Sequence, residues 1–302
     1  MTGRDPARDA FVAGVACYVV WGLSPLVYQP MGRAGADAWE IMGHRALWGS
    51  VWAGGLVWLT GQAGTFRTLL ADWRTLRWLA LSTVMIAINW ALYVWAVNNG
   101  HTLETSLGYY LNPLLNMALG AWFFRERMDR LGLVAIALAV VGVLLQALAL
   151  GRLPVVSLVL AVSFAIYGVI RKQVKAEALP GLFVECLIML PFGLVFLTWL
   201  ETQHAGAFFT GWDAAFWLMM CGPVTVFSLA LFAWSARRLP LSTMGFLQFL
   251  APTISFVIGV VQGEAFTPLR ALSFGFIWLG AAVFAIAAWR RSRLAREVAG
   301  PA

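Results

Sequence analysis

Charged residues make up only 12% of this 302-residue chain, half of the roughly 25% that a water-soluble domain carries. So little charge excludes a cytosolic enzyme or a nucleic-acid-binding domain. Cysteine is nearly absent as well. Cys17, Cys186 and Cys221 all fall within apolar runs and lack metal-ligand spacing, which excludes a disulfide scaffold and leaves them as small packing residues. Only three histidines occur, and His101 and His204 fall in or beside loops. No HExxH site, serine-nucleophile motif, paired intramembrane Asp or Walker A sequence is present, so no proteolysis, ATP hydrolysis, metal or other cofactor is expected.

Apolar sequence fills the space. Hydrophobic residues make up 61% of the chain and the mean hydropathy is +0.78. Ten apolar runs fall at about 11–30, 39–60, 76–98, 104–124, 131–149, 154–171, 181–200, 213–236, 242–262 and 269–289, each long enough to cross a hydrocarbon core of roughly 30 Å. The runs are continuous rather than alternating, which excludes a membrane β-barrel. The polar start MTGRDPARDA leads straight into the first run without a small-residue cleavage site, so that run is expected as a retained span, not a signal peptide.

The net charge of +7 is distributed by side rather than as a nucleic-acid patch. Alternate connections and the tails hold Arg4 and Arg8; Arg67, Arg74 and Arg77; Arg125, Arg127 and Arg130; Arg171, Lys172 and Lys175; Arg237 and Arg238; and Arg290, Arg291, Arg293 and Arg296. The opposite connections hold only Arg33, Arg152 and Arg270, while Arg45 lies within a run. The positive-inside rule places the crowded side and both termini in the cytoplasm.

Two segments match across the chain. Pro113, Gly120 and Glu126 are echoed by Pro252, Gly259 and Glu264, each set following a Gly-aromatic step, Gly108-Tyr109 or Gly245-Phe246. The opening Cys17-Tyr18-Val19-Val20-Trp21-Gly22 likewise matches Ser163-Phe164-Ala165-Ile166-Tyr167-Gly168. The expected fold is therefore an all-α polytopic membrane protein of ten transmembrane helices, arranged as five-helix repeats over residues 1–150 and 151–302. Because five is odd, the second repeat is inverted, an architecture that places a substrate between the halves.

Polar and aromatic residues gather in the third and fourth runs: Asn89, Trp90, Tyr93, Trp95, Asn98 and Asn99, then Tyr109, Tyr110, Asn112 and Asn116. Asn89 and Tyr93, four apart, share one helix face. With Trp21, Tyr167 and Gln248 they form the candidate substrate-binding set of Trp21, Asn89, Trp90, Tyr93, Tyr110, Asn112, Tyr167 and Gln248. The other reading of this string is interhelical hydrogen bonding plus interfacial aromatics, which also suits Trp95, Trp122 and Trp289. Pro25, Pro113 and Pro252, with Gly22 and Gly168, are candidate hinges, static kinks being the alternative. Intramembrane charge is rare enough to mark function. Glu185, His44 and Arg45 are read either as a proton site or as an ion pair joining Glu185 to Arg45, with Glu40 one turn before His44.

The stretch from Asn89-Trp90 to Asn98, the Glu104-x-Ser-Leu-Gly-Tyr109 and Asn112-Pro113 steps, and Arg125-Glu126-Arg127 resemble the RarD-like branch of the EamA family, in the drug/metabolite transporter superfamily. Tyr18-x-x-Trp21-Gly22-x-x-Pro25, His44-Arg45 and Ser242-Thr243-x-Gly245-Phe246-x-Gln248 fit the same pattern. The resemblance covers nearly the whole chain and implies ten helices in two inverted repeats exporting small metabolites or drugs by alternating access. The small multidrug relatives carry a Glu in the first helix, but none lies between Phe11 and Pro30 here. The resulting expectation is an exporter of amino acids, aromatic or neutral ones included, with facilitated transport as one form of it. A proton-coupled drug exporter is the alternative, and an aromatic-lined channel the third reading. The expected partners are a small molecule and the lipid bilayer, with no nucleic acid; nothing in the sequence sets an oligomeric state.

Overall fold

The computed structural model describes residues 6–124, 130–236, 238–239, 244 and 247–299. Glu126, Ser242, Thr243, Gly245 and Phe246, and the side chains of Pro113, Asn116, Trp122 and Trp289, lie outside the described residues. Among these residues the chain is helical and without strands: α1 (Pro6–Gly22), α2 (Pro25–Arg33), α3 (Ala38–Leu59), α4 (Ala63–Ala71), α5 (Trp73–Asn98), α6 (Thr102–Phe124), α7 (Arg130–Leu150), α8 (Val155–Gln173), α9 (Ala178–Thr202), α10 (Trp212–Ala236), α11 (Leu250–Val261) and α12 (Pro268–Ala299).

Among the described residues six stretches are long and apolar enough to cross a membrane: Arg8–Arg33, Trp73–Asn98, Arg130–Leu150, Ala178–Thr202, Trp212–Phe232 and Pro268–Ala287. The other four expected runs correspond to α3, α6, α8 and α11. At 22 and 23 residues, α3 and α6 reach the length of a span, roughly 33 Å at 1.5 Å per residue. Glu40, His44 and Arg45 make α3 more polar, as Thr102, Glu104, Thr105 and Ser106 do α6. The remaining two are shorter apolar helices.

The structure revises the sequence reading in two places. The first run is two helices: Leu23 and Ser24 interrupt it, and Pro25 opens α2 with a fixed φ and no N–H to satisfy. Ser24 Oγ donates to the Trp21 carbonyl at 2.6 Å, and Ser255 Oγ from α11 donates to the Gly22 carbonyl at 3.0 Å. A broken helix in lipid needs such substitutes for its lost backbone bonds. The second difference is α4, a helix inside a connection expected to be a plain loop. Its Phe66 ring packs on Phe183 of α9 at 4.6 Å. Beyond it, Asp72 caps α5 by accepting the Arg74 and Thr75 backbone N–H groups, and the Thr75 hydroxyl helps hold that carboxyl below its ordinary pKa.

Helix pairs run between the two parts of the chain. Helix α3 lies along α9 and α10, α5 along α8 and α9, α6 along α8 and α11, α1 along α10 and α11, and α7 along α12. Between apolar helices in lipid, close packing of small residues supplies much of the attraction. Where α3 crosses α9, a Cβ on Gly193 would stand 3.2 Å from the Gly43 Cα. On the outer faces, Trp39, Trp58, Trp73, Trp95, Trp199 and Trp212 are exposed near helix ends, where an indole fits the membrane–water boundary.

Candidate functional site

Arg45 is the unusual residue of α3. Its side chain is buried at 8% exposure, at a depth where a guanidinium is costly. Its Cζ lies 3.6 Å from the Trp90 ring centroid and 5.8 Å from that of Tyr28, while Nη1 donates to the Tyr28 hydroxyl. Arg45 Nε is buried without a hydrogen-bond partner. The cage continues through an edge-to-face Tyr28–Tyr93 contact at 6.0 Å and a tilted Tyr93–Tyr109 contact at 5.6 Å. Tyr93 Oη meets Ser24 Oγ at 2.7 Å, so the break in the first span is tied directly to the cage.

Asn89 sets the far wall. Its amide donates to the Leu160 carbonyl at 2.8 Å and lies 3.0 Å from Ser163 Oγ. Its carbonyl accepts from Tyr109 at 3.1 Å. With 0% exposure, this Asn joins α5 to α8 and positions Tyr109, so its polar groups are occupied by protein.

Glu185 belongs to a second buried cluster. Its carboxylate accepts from Ser82 at 2.7 Å and from Tyr167 at 3.3 Å, and meets Arg171 at 3.7 Å. The ion-pair reading joins Glu185 to Arg45; the structure pairs Glu185 with Arg171 instead. The reason is geometric: Tyr167 and Arg171, four apart on α8, present one face to Glu185. His44 stacks on Phe208 at 4.7 Å and lies 4.0 Å from Glu40. Glu40 in turn accepts from the backbone N–H groups of Ala207 and Phe208 at 2.7 and 3.2 Å.

Other sequence candidates fall apart from this cage. Trp21 packs with Tyr18 and Phe232 at 5.4 and 5.8 Å. Tyr110 contacts Phe249, Phe274 and Trp278, and its Oη meets Thr253 Oγ1 at 2.6 Å. Asn112 is buried with Oδ1 unpaired; Gln248 stands in the turn before α11 and Gly168 is half-buried in α8. Pro113 lies within α6, Pro252 in the first turn of α11, and Gly22 at the close approach to Ile254. Sequence reasoning missed Ser24, Tyr28 and Arg171. Spacings of four carried the signal for all three, linking Ser24 to Tyr28 and Arg171 to Tyr167.

Polar contacts tie loops together at one end of the bundle. Glu264 accepts from the Thr102 and Leu103 N–H groups at 2.6 and 2.8 Å, a favourable place for an anion at the start of α6. Arg152 and His101 meet Glu104 at 2.9 and 3.0 Å. Gln29 and Gln262 exchange side-chain hydrogen bonds of 2.8 and 2.7 Å. Among the described residues no cluster of three or more His, Cys, Asp or Glu could hold a metal.

Comparison with known proteins gives a consistent picture. Residues 10–148 match the EamA-like transporter family. An uncharacterized transporter of Pseudomonas aeruginosa is 43% identical over 288 residues, covering 95% of this chain and 96% of that protein. Protein RarD of Salmonella typhimurium is 38% identical, covering 92% and 94% respectively. A solved structure described only as a crystal structure of protein aligns with TM-score 0.63 at 17% identity, covering 93% of this chain and 97% of that one; the two share a fold.

Proposed function

Because this chain belongs to the EamA-like transporter family, with RarD proteins among its relatives, we propose that it exports small metabolites, amino acids foremost, by alternating access between two inverted repeats. It is a multi-pass membrane transporter rather than an enzyme, as its named relatives are. The observation that carries the finer reading is the pairing of helices. Exchange the halves, so that α1, α3, α5, α6 and α7 become α8, α9, α10, α11 and α12. The α5–α8 contact then becomes α10–α1, α6–α8 becomes α11–α1, and α3–α10 becomes α9–α5, all of which are present. The pairs α3–α9, α6–α11 and α7–α12 map onto themselves. Such a pattern supports a pseudo-two-fold axis in the membrane plane, with a substrate site where the halves meet.

The cage of Arg45, Trp90, Tyr28, Tyr93 and Tyr109 is the part of that meeting surface suited to an organic molecule with both polar and flat apolar groups. Trp90 and Tyr93 act as walls in this reading, Asn89 as a positioning residue, and the Ser24–Pro25 break as a hinge. The charge asymmetry supports an inner-membrane location with both termini cytoplasmic. The buried Glu185 cluster favours a second reading, proton-coupled drug export, because a carboxylate at membrane depth can carry a proton.

Counterflow in proteoliposomes separates the two. A labelled amino acid from a broad panel is expected to accumulate in liposomes preloaded with its unlabelled form, saturably and at equal pH. Exchange that requires an imposed pH gradient would favour proton coupling, and no exchange by any amino acid in folded protein would reject amino acids as cargo.

A further inference from the structure

The cage is built around a cation that has no ion-pair partner among the described residues. Trp90, Tyr28, Tyr93 and Tyr109 are all neutral, and Tyr28 uses only Nη1 of the guanidinium. The carboxylate on Arg45's own helix and the buried one on neighbouring α9 are engaged elsewhere: Glu40 on the Ala207 and Phe208 amides, Glu185 on Ser82, Tyr167 and Arg171, while Glu201 and Asp213 lie at the ends of α9 and α10. Glu40 also precedes Arg45 by five residues, which turns it about 140° around α3.

We infer that Arg45 is the anchor for a substrate carboxylate, and that the site takes aryl or alkyl carboxylates whether or not they carry an α-amino group. This inference rests on the reading of the cage as the cargo site. The unpartnered Nε–H lies along one edge of the guanidinium, and the Nε/Nη2 edge of an Arg binds carboxylates through two parallel hydrogen bonds. Trp90 covers one guanidinium face, so the ion is held in plane without consuming that edge. The rings of Tyr93 and Tyr109 offer the apolar surface beside it. Among the described residues no carboxylate faces the cage to receive an ammonium, and Arg45 repels one. The same geometry therefore disfavours cationic amines, including amine drugs.

The test is ligand-induced thermal stabilisation of the full-length protein in detergent micelles, with 3-phenylpropanoate, phenylalanine and phenethylamine as probes. The two carboxylates are expected to stabilise the wild type and the amine not to. Arg45→Gln should weaken carboxylate binding at least about tenfold, and Arg45→Lys, which keeps the charge but loses the planar fork, should weaken it by less. Stabilisation by phenethylamine equal to that by 3-phenylpropanoate would overturn the inference. So would a wild type that neither carboxylate stabilises, or carboxylate binding undiminished in folded Arg45→Gln. Should that variant not fold, the probe series on the wild type and Arg45→Lys decides. Carboxylate binding without counterflow would uphold this inference while rejecting the transport cycle proposed above.

Discussion

At the scale of single residues, the buried charges divide into two kinds. A central Arg in a membrane helix costs about 2.5–3.5 kcal/mol on insertion scales. A desolvated cation–π contact such as that with Trp90 returns about 2 kcal/mol, and a hydrogen bond to a charged group about 1.5–3 kcal/mol. Those magnitudes let Arg45 stand in its cage without an anion, ready for one. Glu185 is different, because Arg171, Ser82 and Tyr167 already satisfy it. Glu185→Gln should therefore lower the unfolding temperature in detergent by leaving Arg171 unpaired, while preserving exchange at equal pH. Loss of a pH-gradient response in that variant, with exchange otherwise intact, would assign Glu185 to proton coupling instead. The sequence exposed Asn89 and Tyr93 as a shared face and Arg45 as an intramembrane charge. It could not show Arg45's company, because periodicity reports neighbours on one helix, whereas Tyr28 and Trp90 come from two others.

Among the helices, the break before Pro25 is the element most closely joined to the site, through the Ser24–Tyr93 hydrogen bond. Gly22 lets α1 reach α11 just there: an added Cβ would lie 2.7 Å from Ile254 Cβ and 3.0 Å from the Ala251 carbonyl oxygen. Overpacking of this kind costs about 1–3 kcal/mol. Gly22→Ala should lower thermal stability accordingly, and should cost less in an Ile254→Gly background, which lacks that Cβ; an equal loss in both backgrounds would mean that the contact is not the cause. The extent of each apolar run was legible because lipid demands about 20 residues per crossing. The Leu23–Ser24 interruption and helix α4 were not. In the first case a hydroxyl from another helix, Ser255, replaces a lost backbone partner, and in the second Phe66 is held by Phe183 from α9. Both depend on residues distant in sequence.

For the whole molecule, the proposed repeat rests on the matched spacings of Pro113–Gly120–Glu126 and Pro252–Gly259–Glu264 and on the exchange symmetry of the helix contacts. Part of its meaning appears at the end where loops converge. Glu264 reaches across to α6, Arg152 to Glu104, and Gln29 to Gln262. In an alternating-access cycle these contacts must part when that end opens, whereas in a static bundle or channel they need not. In the proposed orientation this end faces the periplasm. Cys17, Cys186 and Cys221 are all buried, so thiols introduced by Gln29→Cys and Gln262→Cys should be the reactive ones, and a membrane-impermeant reagent should reach them from outside in spheroplasts. The most direct test of the carrier mechanism is counterflow by that double variant before bridging, after bridging and after reduction. Alternating access predicts exchange that is lost when the two cysteines are joined and restored when they are released. Undiminished exchange in fully bridged protein would contradict it.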